Sequence, residues 1–225
     1  MQPHDFWQDV HPAGSFDETG PFSFFYPARL VDGRQIRLPI RPLAGGSHAL
    51  ASLIINQASF DVQDVLAADL APKIAAYRPE VIIGLPTLGL TLAAAVARIL
   101  GFPRYVPLGT SRKFWYNDAL SVPLSSITTP EQQKRLYIDP RMMPLIENKR
   151  VALIDDVISS GTSIVSGLTL MQSIGVEPVV IGAAMLQSDR WEAKLDTLGE
   201  QWRSCVVSCF RTPMLIKAGE GSWCR

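Results

Sequence analysis

Val151-Ala152-Leu153-Ile154-Asp155-Asp156-Val157-Ile158-Ser159-Ser160-Gly161-Thr162-Ser163 is the stretch whose reading decides the fold. Four apolar residues predict a buried strand that ends in two adjacent acids. A turn rich in hydroxyls and glycine follows, and then a helix from Thr162 to Ile174, stopped by Gly175. In open α/β sheets ligands bind beyond the carboxyl ends of the strands. The first N–H groups of a helix lack intrahelical partners and favour an anion, so the turn Ser159 to Ser163 reads as a phosphate cradle. Gly161 lets the backbone approach, and the Ser and Thr hydroxyls add donors.

The same rhythm extends in both directions. Glu80 to Gly84, Arg104 to Leu108, Pro178 to Met185 and Ser204 to Phe210 read as strands, and Leu90 to Leu100 and Arg190 to Leu198 as helices. Upstream, Ser59 caps a helix that places Val62, Val65, Leu66, Leu70 and Ile74 on one face and ends before Pro79. Alternating helices and all-apolar strands imply a parallel sheet covered on both faces. Residues 109–149 break the alternation with two strand-like pieces, Ser121 to Ile127 and Lys134 to Ile138, around Thr128-Thr129-Pro130. In the first 60 residues, Phe22 to Tyr26 and Gln35 to Ile40 flank Asp32-Gly33 and predict a β-hairpin. Leu50, Leu53 and Ile54 suggest a short helix within 47–58.

The two acids beside the cradle need a reason. A carboxylate and a phosphate about 5 Å apart repel by roughly 3 kcal/mol at an effective dielectric near 20. The arrangement is useful only if the acids face something that wants acceptors, such as the vicinal hydroxyls of a ribose or a magnesium ion. Ribose, 5′-phosphate and Mg²⁺ together describe a ribose-phosphate site. No G-x4-G-K-[ST] pattern occurs, which sets a P-loop NTPase aside. A response-regulator receiver would carry its acid pair after the first strand rather than at Asp155.

The stretch Val151 to Ser163 resembles, over all of its positions, the phosphoribosyl-pyrophosphate (PRPP) motif of type I phosphoribosyltransferases, and the strand order resembles theirs over about 60–210. The resemblance implies an α/β fold: a parallel-sheet, Rossmann-like core at 61–210, a small N-terminal hood at 1–60, a protruding β-hairpin loop, and a C-terminal tail at 211–225. It implies that Asp155 and Asp156 hold the ribose 2′- and 3′-hydroxyls with Mg²⁺ close by, and that Ser159, Ser160, Gly161, Thr162 and Ser163 wrap the 5′-phosphate. A pyrophosphate loop falls at Leu85-Pro86-Thr87-Leu88-Gly89, where backbone N–H groups of Thr87, Leu88 and Gly89 face phosphate oxygens. Many members carry Arg or Lys there, whereas this chain has Thr87. The mobile catalytic loop corresponds to 109–149, with Arg112 and Lys113 as the expected cations over the departing pyrophosphate. Phe114-Trp115-Tyr116 and Trp191 read either as base-stacking groups or as structural anchors. Hypoxanthine–guanine-type members have an aspartate at the position of Ser159; the small residue here points to an adenine-like or xanthine-like enzyme. The implied reaction is displacement of pyrophosphate from C1 of PRPP by a base nitrogen, in a homodimer. The alternative is a non-catalytic PRPP-binding regulator, which the cation-free Thr87 loop favours.

Composition sets the other bounds. At 225 residues the chain suits one α/β domain with additions. Lys+Arg and Asp+Glu both number 21, and this neutral balance argues against nucleic acid or anionic membrane as partners. Cys205, Cys209 and Cys224 are odd in number, and the C-x3-C spacing is not that of a metal or redox site. No zinc site is expected from His4, His11 and His48. The charge-free stretch Val81 to Ala97 holds Gly84, Pro86 and Gly89, so it reads as strand, loop and helix rather than a membrane span. With no basic, apolar leader at the N-terminus, the expectation is a cytoplasmic protein.

Overall fold

The structure, a computed structural model, describes residues 2–124 and 134–225. Strands β1 (Phe25–Arg29) and β2 (Gln35–Pro42) form the expected hairpin, closed where the Gly33 N–H donates to the Leu30 carbonyl at 3.0 Å. Phe22 lies outside it and bridges to Trp223 instead. Residues 47–58 depart from the helical expectation: they give β3 (His48–Ala51) and a single 3-10 turn at Ile55–Gln57. Strands pair with β3 on both sides, Ile40 with Ala51 and Met214 with Leu50. A segment this short has little helical stability of its own, and sheet pairing decides its conformation.

The chain then runs through α1 (Phe60–Ala75), β4 (Val81–Gly84), α2 (Gly89–Ile99), β5 (Val106–Pro107), β6 (Ser121–Pro123), β7 (Arg135–Tyr137), α3 (Met143–Ile146) and β8 (Val151–Ile158). It continues with α4 (Thr162–Ser173), β9 (Pro178–Gln187), α5 (Arg190–Asp196), α6 (Gln201–Ser204), β10 (Val206–Thr212), β11 (Met214–Gly219) and β12 (Ser222–Cys224). The predicted Ser59 cap is present, its Oγ accepting from the Val62 N–H at 3.2 Å. Residues 125–127 of the expected Ser121 to Ile127 piece, together with Thr128-Thr129-Pro130, lie outside the described residues.

A five-stranded sheet in the order β10-β9-β8-β4-β5, with every pairing parallel, forms the core. Successive β8 side chains serve opposite faces. Ala152 and Ile154 pack with Leu66, Leu70 and Ile74 of α1 and Leu92 and Val96 of α2. Val151 and Leu153 pack with Ile164, Leu168 and Met171 of α4 and with Trp191 and Leu195 of α5. Full burial of one such aliphatic side chain contributes about 1.5–3 kcal/mol over leaving it exposed. Trp191 is therefore a core residue, with its indole N–H on the Ser188 carbonyl at 3.1 Å, and is not free to stack on a base.

The second sheet, β1-β2-β3-β11-β12, is antiparallel and draws on both ends of the chain. Residues 211–225, read from sequence as a tail, thus supply β11 and β12. Tyr26, Ile36, Leu38, Leu215 and Trp223 of this sheet join the hydrophobic cluster that covers α1 and α2. The Gln187 amide, at the carboxyl end of β9, donates to the Ala51 carbonyl and ties the second sheet to the core. The strands β6 and β7 pair antiparallel beyond the carboxyl end of β5, where Gly109 and Tyr137 exchange hydrogen bonds of 3.0 and 2.8 Å, and they pack on α4 rather than protruding, with Val122 and Leu136 buried. No helix among the described residues is long and apolar enough to cross a membrane.

Candidate active site

Strand β8 does not stop at the acids. It pairs with β9 through Val157↔Met185 and Ile158↔Leu186, because β9 runs alongside for its whole length. Asp155 and Asp156 are consequently inside the sheet and only 5% and 8% exposed. The Asp156 N–H donates to Asp155 Oδ1 at 2.9 Å. Among the described residues neither carboxylate has a basic partner. Burial, reinforced by the Asp156 charge, pushes the Asp155 carboxyl well above the usual carboxylate range, and burial raises Asp156 as well.

Two buried acids without a counter-charge are electrostatically incomplete. No cluster of three or more His, Cys, Asp or Glu side chains suited to a metal occurs among the described residues. The pair therefore fits an ion that takes one or two carboxylates and completes its shell with water and substrate oxygens. That is the habit of Mg²⁺.

The loop from Ser159 to Ser163 turns directly above this pair. Gly161 has φ +78°, and a Cβ there would lie 3.1 Å from the Trp191 carbonyl oxygen and 3.2 Å from its Cα. Only glycine suits a left-handed position pressed against another backbone. Ser160 Oγ and Thr162 Oγ1 are 3.1 Å apart. Asp155 and the whole loop line one cavity of about 80 Å³, small for a base and adequate for a tetrahedral oxyanion. The acids and the predicted phosphate loop are thus brought together.

Two cations that the sequence reading did not single out reach this loop from α5. Lys194 Nζ donates to Thr162 Oγ1 at 2.9 Å. The Arg190 guanidinium donates to Ser159 Oγ at 3.1 Å and to Ser188 Oγ at 3.2 Å. Arg190 opens α5 and Lys194 lies in its last turn; the four-residue spacing puts them on one face but does not name the loop they meet.

The loop after β4 meets the same carboxylate. The Leu85 N–H continues the ladder onto the Ile154 carbonyl at 2.8 Å. A Cβ on Gly89 would lie 2.8 Å from both the Cα and Oδ1 of Asp155, so α2 begins in direct contact with the acid. Thr87 is exposed and Leu88 half-buried. Arg112 and Lys113 stand apart: both are exposed, and neither lines the 80 Å³ cavity. Arg112 is held by Asp118, with Nε 3.0 Å from Oδ1 and Nη2 3.2 Å from Oδ2. Trp115 is an anchor, its indole N–H on Asp139 Oδ2 at 3.1 Å and Arg141 4.5 Å over its ring, whereas Phe114 is 96% exposed. A larger cavity of about 510 Å³ opens between the second sheet and the carboxyl ends of β9 and β10, bounded by Tyr26, Asp189, Arg211, Thr212 and Arg225.

Residues 51–212 match the family model of the phosphoribosyl transferase domain. The chain belongs to the type I phosphoribosyltransferase family. This phosphoribosyltransferase is accordingly an enzyme of the glycosyltransferase class. Its fold is similar to that of adenine phosphoribosyltransferase from Thermoanaerobacter pseudethanolicus, with a TM-score of 0.52 and 19% identity over 68% of this chain and 81% of that one. The adenine phosphoribosyltransferase of Giardia lamblia, solved with 9-deazaadenine, gives 0.54 and 17% over 68% and 80%. That of Trypanosoma brucei, solved with AMP, pyrophosphate and ribose-5-phosphate, gives 0.55 and 13% over 92% and 76%. No curated protein matches the chain.

Proposed function

We propose that this phosphoribosyltransferase moves the 5-phosphoribosyl group of PRPP to a purine nucleobase and releases pyrophosphate. The observation that carries the reading is buried Asp155, which lines a cavity with Ser159–Ser163, meets Gly89 at the end of the loop after β4, and has the buried Asp156 as its neighbour. One anion cradle and one acceptor pair side by side match a phosphorylated ribose. Asp155 and Asp156 accept from the ribose hydroxyls; the N–H groups and hydroxyls of Ser159, Ser160, Gly161, Thr162 and Ser163 hold the 5′-phosphate. Backbone N–H groups of Thr87, Leu88 and Gly89 face the pyrophosphate. When bound, Mg²⁺ supplies charge neutralisation for the leaving pyrophosphate, held by Asp155, Asp156 and substrate oxygens.

With the sugar fixed at three points, the C1–O bond breaks as its electron pair leaves on pyrophosphate, and the base nitrogen bonds to C1 while the base's ring N–H proton is lost to water or the departing pyrophosphate. The protein's part is positioning and charge stabilisation of an oxocarbenium-like state. Arg112 and Lys113 belong to the loop that closes over the pyrophosphate; closure requires Arg112 to leave Asp118. The 510 Å³ cavity under the hood is large enough for a purine, and Arg190 bridges its Ser188 to Ser159 of the phosphate loop. The small Ser159 side chain supports an adenine- or xanthine-type base. A cytoplasmic homodimer completes the reading.

The test is pyrophosphate release from PRPP and Mg²⁺ with each common nucleobase offered separately. Release with one purine alone supports the reading and names the acceptor. Release only with a pyrimidine overturns the purine assignment, and silence across the panel overturns base transfer.

A further inference from the structure

Arg190 and Lys194 stand on successive turns of α5, and each gives a hydrogen bond to a side-chain hydroxyl of the phosphate loop. Neither forms an ion pair among the described residues. The acids of α5 itself are engaged elsewhere, Glu192 by Arg203 and Arg211 and Asp196 by Arg203. A lysine ammonium has three donors and an arginine guanidinium five. Lys194 uses one on Thr162, and Arg190 uses its Nε–H on Ser188 and one further N–H on Ser159, so both retain free donors next to the hydroxyls that line the cavity, although neither lines the cavity itself. Lys194 is also half-buried, with its stem packed against the loop: a Cβ on Gly161 would lie 3.4 Å from the Lys194 Cβ. A partly desolvated ammonium without a carboxylate calls for an anion.

We infer that Arg190 and Lys194 form a cationic clamp on the 5′-phosphate of the sugar donor, closing the Ser159–Ser163 cradle from the α5 side. The inference rests on the PRPP reading for the identity of the donor, but the clamp itself requires only a sugar phosphate. A phosphate monoester near neutral pH carries close to two negative charges, and two cations match it. They also offset the repulsion between that phosphate and Asp155 in the same cavity. The loop after β4, from Leu85 to Gly89, holds no basic residue, so charge recognition of the donor is concentrated at its 5′ end. The enzyme should therefore discriminate sharply between ribose 5-phosphate and ribose.

The experiment titrates ribose 5-phosphate into the full chain by calorimetry, without Mg²⁺ or base, at low and moderate salt, with ribose as control. Lys194→Met keeps the stem against the loop and removes the charge; Arg190→Gln keeps a donor for Ser159. Each is expected to weaken ribose 5-phosphate about tenfold or more and to flatten its salt dependence, while Lys194→Arg restores most of the affinity. In turnover, the KM for PRPP should rise by a similar factor with kcat changed less than about threefold. Equal affinity in wild type, Lys194→Met and Arg190→Gln, or no ribose 5-phosphate binding by wild type, overturns the clamp whatever the base panel gives. Cation-dependent ribose 5-phosphate binding with silence in the base panel upholds the clamp and removes the transfer reading.

Discussion

The loops after β4 and after β8 begin alike and end differently. Each leaves a buried parallel strand at its carboxyl end and leads into a helix through a glycine in contact with other backbone. The second is lined with hydroxyls and reached by Arg190 and Lys194, whereas the first presents Pro86, Thr87 and Leu88 without a charge. Both converge on Asp155. The contrast teaches that backbone geometry can be repeated at two sites of a sheet edge while electrostatic strength is set by elements that fold in from elsewhere.

The comparison breaks most completely if its shared centre is removed. Asp155→Asn combined with Asp156→Asn is expected to cut pyrophosphate release at least a hundredfold, about 2.7 kcal/mol of transition-state stabilisation. The ligand-free double variant should nevertheless melt higher than wild type near neutral pH, since it no longer buries unpaired carboxylates. Retained turnover would sink the site assignment. Next in size, Gly89→Ala drives a methyl into the Asp155 backbone and parts the two loops; overpacking of this kind costs about 1–3 kcal/mol. Its signature is a fall of tenfold or so in kcat/KM for PRPP, with ribose 5-phosphate binding at the other loop largely kept.

The pH dependence sharpens the electrostatic half of the contrast. Folding raises the pKa of both acids, so the stability they confer is full below the ordinary aspartate value of 3.8 and is lost as pH rises through the folded values. The melting-temperature gap between wild type and the double Asn variant should therefore widen from pH 5 to pH 8, by roughly 2–4 °C for each kcal/mol. A gap that does not change with pH would remove the uncompensated-charge account. The smallest effect is expected from Thr87→Arg, which gives the poorer loop a cation. An exposed charge contributes about 0.2–1 kcal/mol, so KM for PRPP should fall no more than about fivefold, and less at high salt.

Much of this was legible in the residues. The apolar runs, the Ser59 cap and the turn pair Asp32-Gly33 are local signals, and the core sheet and first hairpin follow from them. The acid pair and the hydroxyl-rich loop that shares a cavity with Asp155 were legible as neighbours because all their parts are contiguous. What escaped was assembled at a distance. His48–Ala51 became a strand because partners from both ends of the chain pair with it, and β8 ran past its acids because β9 runs beside it. Arg190 and Lys194 bear on residues some thirty positions earlier, a contact set by strand adjacency that no local pattern announces.

The second sheet is completed by pairing Leu50 with Met214, residues far apart in the chain. Pairings of such sequence separation close late, after local helices and adjacent strands have formed. During synthesis the Ser159–Ser163 loop and its acid pair can therefore assemble before β11 and β12 emerge. The sheet that borders the 510 Å³ cavity is thus finished only when Met214–Gly219 folds back onto His48–Ala51.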